Sequence, residues 1–244
     1  MRIRIFALAL TLLLILPLTA CGIPLDRAVD PVDNDEFTGV WKAEVNLEPY
    51  FTHVTVEENE DLENYVSFPE LKVTMCLEFR EDNTFSAYPD ETSVRIMTAA
   101  VRKSLKTSLY NYILDQLRYY NISMTVGEYL TSEGETLDSL TDAFNHQQIA
   151  DDFIENFSVS GRFIALNGDL FFSTDPEQPV AFDLCDRYFL VDEYLKLEYP
   201  LLPPAEEITD EEEAEPTEAD EILLKAFSPI VFQRQTEPES TDGN

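Results

Sequence analysis

Apolar and polar residues alternate from the first part of the chain that carries any pattern. Trp41, Ala43, Val45 and Leu47 are separated by Lys42, Glu44 and Asn46, the period of two that marks a half-buried strand. The stretch "LKVTMCLEFR" repeats this more cleanly. Leu71, Val73, Met75, Leu77 and Phe79 share one face; Lys72, Thr74, Cys76, Glu78 and Arg80 share the other. "EDN" then supplies turn residues and "TFSAY" returns as a partner strand, so a hairpin is expected. Its turn has Asn83 where a glycine is usual, and Asn tolerates the positive φ required. Residues 48–68 are ambiguous: "THVTVEE" fits a short strand and "ENEDLEN" a loop.

At Pro89-Asp90 the period changes. From Thr92 to about Tyr120, Val94, Met97, Val101, Leu105, Leu109, Tyr112 and Leu117 recur every three or four residues, which predicts a long amphipathic helix. Thr125 and Glu128 match a capping box that opens a short helix through Leu130, and Gly134 breaks it. A further helical stretch runs from Thr136 to Phe157, with a join expected near Asn145-His146. Strands then resume. "SVSGRFIAL" and "LFFST" flank Asn167-Gly168, a strong hairpin signal because both turn positions favour positive φ. "PVAFDLC" and a segment within "RYFLVDEYLKLEY" continue the meander. The run "PLLPPAEEITDEEEAEPTEADE" is too rich in proline and like charge for a packed element. "LLKAFSPIVFQRQ" is expected to return to the sheet as a closing strand.

The layout is therefore α+β: an antiparallel barrel or strongly curved meander with helices inserted between strands. The fold spans residues 37–235, with the insertion at about 91–157, an acidic loop at about 203–221 and a polar tail at 236–244. Gly39-Val40-Trp41 opens the first strand, and a Gly-x-Trp there resembles the lipocalin and lipocalin-like barrels, in which the Trp plugs one end. Together, "GVWKAEV", "LEFREDNTFS", the helical insertion, "GRFIALNGDLFF" and "FSPIVFQR" resemble a group of uncharacterised lipocalin-like lipoproteins of Gram-positive bacteria. The resemblance covers roughly residues 37–235 and implies a fold and a location, but no activity.

The chain's first residues agree with that location. Arg2 and Arg4 precede an apolar run from Ile5 to Leu18, which is short for a spanning helix and fits a cleaved secretory signal over residues 1–20. Leu18-Thr19-Ala20-Cys21 resembles the lipobox of bacterial lipoproteins, which implies a diacylglyceryl group on Cys21 and cleavage before it. Residues 21–36, rich in Pro and Asp, then read as a tether. The expected location is the outer face of the cytoplasmic membrane, with the bilayer as the first partner through acylated Cys21.

Charge narrows the remaining partners. Losing residues 1–20 removes two of 16 basic residues and none of 48 acidic ones. Such an excess opposes nucleic acid and anionic headgroups. Its simplest reading is solvation, with a cation or a basic partner as the functional alternatives. Five basic residues, Arg95, Arg102, Lys103, Lys106 and Arg118, concentrate on the long helix and are expected to dock on acidic neighbours.

Little in the chain suggests chemistry. Only His53 and His146 exist, neither within a triad or metal-ligand spacing. There are seven glycines and no phosphate loop. "DPVDNDE" lacks the glycine and distal glutamate of a calcium loop. Cys76 and Cys185 match no metal spacing and read as isolated thiols on strands, pairing across neighbouring strands being the alternative. No catalytic residue, cofactor or metal is therefore expected. The 16 Phe and 11 Tyr suit either a filled barrel or a cup for one small apolar ligand. Two functions stand: binding of a small apolar ligand or an envelope protein, or a pocketless structural module contacting partners through its helical insertion.

Overall fold

The alternating segments close on one another. A computed structural model describes residues 36–142, 144–166, 168–173, 184–198 and 217–235. Eight antiparallel strands run β1 Gly39–Asn46, β2 Lys72–Phe79, β3 Thr84–Pro89, β4 Val159–Leu166, β5 Asp169–Ser173, β6 Leu184–Val191, β7 Tyr194–Leu197 and β8 Ile230–Arg234. Each pairs with the next in sequence, and β8 pairs back to β1 through Trp41–Arg234 and Lys42–Gln233. The closed barrel and its final strand match the sequence expectation. Cys21, the signal, the tether before Glu36, the acidic stretch 199–216 and the tail from residue 236 lie outside the described residues.

The period of two becomes an inside and an outside. Register sets Trp41 opposite Leu77, Ala43 opposite Met75 and Val45 opposite Val73, and all six are buried. Phe79 faces Phe85, Phe163 faces Phe172, and Leu195 faces Phe232. Two turns use the predicted backbone: Asn83 has φ 62° and Gly168 φ 90°. A third hairpin turns at Asp192, φ 52°, and joins β6, which begins with the last two residues of "PVAFDLC", to β7; the rest of that stretch, residues 179–183, lies outside the described residues.

Helices fill the connections at one end. They are α1 Glu48–Glu58, followed by a 3-10 turn at Glu60–Leu62, then α2 Glu91–Tyr119, α3 Val126–Ser132, α4 Leu137–Leu140, α5 His146–Asn156 and α6 Glu218–Phe227. α2 is capped by Asp90, whose carboxylate accepts from Ser93 N at 2.9 Å. α3 has the predicted capping box, Thr125 with Glu128, a feature whose loss costs about 1 kcal/mol. The join before α5 lies where expected, with Asn145 accepting from Gln147 N and Gln148 N.

Three expectations are corrected. "THVTVEE" is helical, within α1, because Pro49 sets φ in the first turn. Asn46 Oδ1 also accepts from Glu48 N and Leu71 N, tying the helix start to the end of the sheet. The closing segment is half helix: α6 ends at Phe227 and only Ile230–Arg234 is strand. α6 begins at Glu218, inside the stretch expected to stay unpacked, with Thr217 and Asp220 forming a second capping box of the kind found at α3.

Candidate interaction surface

The barrel interior is the first place to look for a site, and aromatic side chains pack against one another there. Phe79 packs on Phe163 at 4.5 Å between centroids, on Phe37 at 5.7 Å and on Phe172 at 6.4 Å. Phe85 meets Phe172 at 4.9 Å. The end where the chain enters is shut by Phe37 and Trp41. Gly39, at φ 128°, has a backbone that other residues rarely adopt, and it leads the chain from Phe37 into β1. Trp41 Nε1 donates to Phe37 O at 2.7 Å, and the Arg234 guanidinium lies 4.5 Å from the Trp41 ring while donating to Glu36 O. Trp41 is wholly buried at this end of the barrel. At the other end, where β4 and β8 begin, Phe157 stacks on Phe153 at 4.3 Å and on Phe227 at 5.5 Å.

Two depressions stand out among the described residues, and both lie on the helices. One, about 260 Å3, is lined by Tyr110, Val126, Gly127, Leu130, Thr136 and Leu137. The other, about 390 Å3, lies between the 3-10 turn and α2, beside Glu58, Asp61, Leu62, Leu109 and Tyr112.

The insertion is built in two halves. At 29 residues, α2 is about 43 Å long, well beyond an eight-residue strand of about 26 Å. Its first half buries Val94, Met97 and Val101 in the barrel's core cluster. Its second half buries Ile113 and Leu117 in a separate small cluster with Val126 and Leu130. The loop before β2 supports that second half: Ser108 Oγ donates to Tyr65 O, and Tyr65 and Tyr112 contact Asp115 and Asp61 through their hydroxyls. Each of these phenols is pushed above its ordinary pKa, first by desolvation and then by its carboxylate neighbour.

Of the five basic residues expected to dock on acidic neighbours, Arg95, Arg102 and Lys106 do so; Arg118 pairs with Asp115 on its own helix, and Lys103 is exposed with no ion pair among the described residues. Arg95 binds Glu91 and Asp151, each at 2.8 Å. Arg102 binds Asp142 at 3.0 Å and lies 3.3 Å from His146 Nδ1, and Lys106 pairs with Asp138. Lys106 holds the Asp138 carboxyl below its usual range. Single exposed pairs contribute little; here several bracket α4 and α5 against α2. His53 faces Glu57 at 3.5 Å one turn along α1. Cys76 is buried on the outer face of β2, where α2 lies on the barrel, and burial raises its thiol pKa. β2 and β6 are not neighbours in the barrel, so Cys76 and Cys185 are not on adjacent strands; the Cys185 side chain lies outside the described residues. No group of three His, Cys, Asp or Glu gathers as a metal would require among the described residues.

Sequence periodicity gives no hint of the surface on the outer end of the insertion. Where α2 runs into α3, Tyr119 is 80% exposed, Tyr120 66%, and Ile122 and Met124 about 40% each. The Tyr119 and Tyr120 rings meet edge to face at 5.0 Å. Tyr110 is also exposed, at the groove. A smaller exposed set, Phe189, Val191, Tyr194 and Val231, lies outside β6–β8, with Lys196 over Phe189. Compared with family models, curated proteins and solved structures, the chain finds no match in any of the three.

Proposed function

We propose that this chain is a lipid-anchored extracytoplasmic lipoprotein whose lipocalin-like barrel is a filled support and whose helical insertion is the surface that contacts a partner protein. The observation that carries this reading is the placement of apolar side chains. The barrel is packed with Phe79, Phe85, Phe163 and Phe172, all buried, while Tyr110, Tyr119, Tyr120, Ile122 and Met124 stand exposed on the insertion. A small apolar ligand needs a hollow interior, so a protein partner fits better. Contiguous exposed aromatic and aliphatic side chains on a soluble module mark contact surfaces.

Topology supports an outward orientation. Glu36, the turns at Asn83, Gly168 and Asp192, and Arg234 lie at one end of the barrel; α1, the insertion and α6 lie at the other. The 15 or so residues from Cys21 to Glu36 reach at most about 50 Å. With Cys21 acylated, the tether end faces the bilayer and the insertion projects from it. Two acyl chains suffice to hold such a module.

Cys21→Ser should move the protein from membranes to the soluble extracellular fraction; retention on membranes contradicts the anchor. A photo-crosslinking residue at position 119 or 120 should give a discrete adduct in intact cells, and one at Asp82 should give none. Adducts from position 82 alone, or from no position, contradict the contact surface.

A further inference from the structure

The outer end of the insertion carries a charge pattern alongside its apolar one. From Tyr119 to Asn145 the chain has no Lys, Arg or His, and its acidic residues are Glu128, Glu133, Glu135, Asp138 and Asp142. Asp138 and Asp142 are neutralised by Lys106 and Arg102. Glu128 is engaged by its own helix start, where hydrogen bonds from Thr125 hold its carboxyl below the usual range. Glu133 and Glu135 are exposed, and neither forms an ion pair among the described residues. Glu135 also lines the groove with Tyr110, Leu130 and Leu137, while its Oε2 accepts from Ser139 Oγ.

We infer that this end of the insertion docks a partner-protein segment in which apolar side chains are flanked by lysine or arginine. The apolar anchors enter the groove beside Tyr110, and the cations meet Glu133 and Glu135. The groove, about 260 Å3, is smaller than the ~300–1,000 Å3 of small-molecule sites, and suits one or two side chains. Exposed tyrosines are rigid anchors with little entropy to lose. The acidic rim repels anionic lipid, nucleic acid and a second copy of a chain with net charge −32, while it speeds encounter with a cationic surface. This inference rests on the reading of the insertion as a contact surface.

The probes are three short labelled peptides of one helical pattern, Leu/Lys, Leu/Glu and Ser/Lys, titrated by fluorescence anisotropy against the full mature chain at physiological salt. Leu/Lys should bind, and the other two at least about ten-fold more weakly. Glu133→Gln with Glu135→Gln should weaken Leu/Lys roughly five-fold, and Tyr119→Ser with Tyr120→Ser about ten-fold. Glu81→Gln with Glu193→Gln removes equal charge at the other end of the barrel and should change nothing. All six positions are exposed or at turns, and unchanged melting confirms folding. The inference is overturned if Leu/Lys does not bind, if Leu/Glu binds equally, if the insertion variants bind like the parent, or if the Glu81/Glu193 variant loses as much. A concentration-dependent dimer abolished by Tyr119→Ser with Tyr120→Ser overturns it in favour of self-association. If the peptides fail while crosslinks from position 119 persist, the basic chemistry is wrong and the contact surface stands; if those crosslinks fail, the underlying reading fails.

Discussion

Phe79→Ala tests the filled interior. Phe79 is almost wholly buried and touches the rings of Phe37, Phe163 and Phe172. A buried phenylalanine removes roughly 150 Å2 from water, about 4 kcal/mol at ~25 cal/mol per Å2. That agrees with the ~3–5 kcal/mol typical of Phe→Ala in well-packed cores. Urea unfolding of the mature chain, followed by circular dichroism, should show a loss of about 4 kcal/mol. The void left among apolar rings should stay dry and accept a small aromatic guest. Benzene should therefore raise the melting temperature of Phe79→Ala and leave the parent unchanged. Should Phe79→Ala not fold, Phe79→Leu, at about 1–2 kcal/mol, gives the same reading on a smaller scale. A loss for Phe79→Ala below about 1 kcal/mol, or a parent stabilised by benzene as much as the variant, would refute a packed interior.

Other consequences are local. Arg234→Ala removes the cation over Trp41 and a hydrogen bond to Glu36 O, and should cost about 1–2 kcal/mol in urea unfolding. Trp41 is the only tryptophan, so its emission should also shift to the red. Asp138 has its pKa depressed by Lys106, so it stabilises the fold above its ordinary 3.8 and loses that contribution as pH falls through the folded value. Asp138→Asn should lower the melting temperature at neutral pH, with the difference vanishing at strongly acid pH; a constant difference contradicts the pairing. Cys76, buried with a raised thiol pKa, should resist alkylation in the native chain and react after unfolding.

The strands were legible wherever one face is wet. β1, β2 and β3 alternate cleanly because most of their outer positions, Lys42, Glu44, Lys72, Thr74, Glu78, Thr84 and Ser86, are polar. Asn83 and Gly168 marked turns because few residues accept positive φ. α1 was not legible: its β-branched Val54, Thr55 and Val56 favour a strand, and Pro49 with the Asn46 tie overrides that preference. α6 was hidden by its setting, a capping box within an acidic run. The site was only partly readable. Gly39 and Trp41 are visible in the sequence, but Arg234 is distant in sequence and reaches Trp41 only through barrel closure. Tyr119, Tyr120, Ile122 and Met124 carry no surface signal in the sequence, because periodicity does not reveal where a long helix outruns the core it lies on.

Whether the barrel is a support or a container is settled most directly by native mass spectrometry of residues 22–244, made in cells as a soluble chain and purified without detergent. The expected spectrum shows the chain alone, at one protein mass. A stoichiometric apolar molecule that travels with the chain and leaves only on unfolding would contradict a filled barrel, and the assignment of binding to the insertion would fall with it.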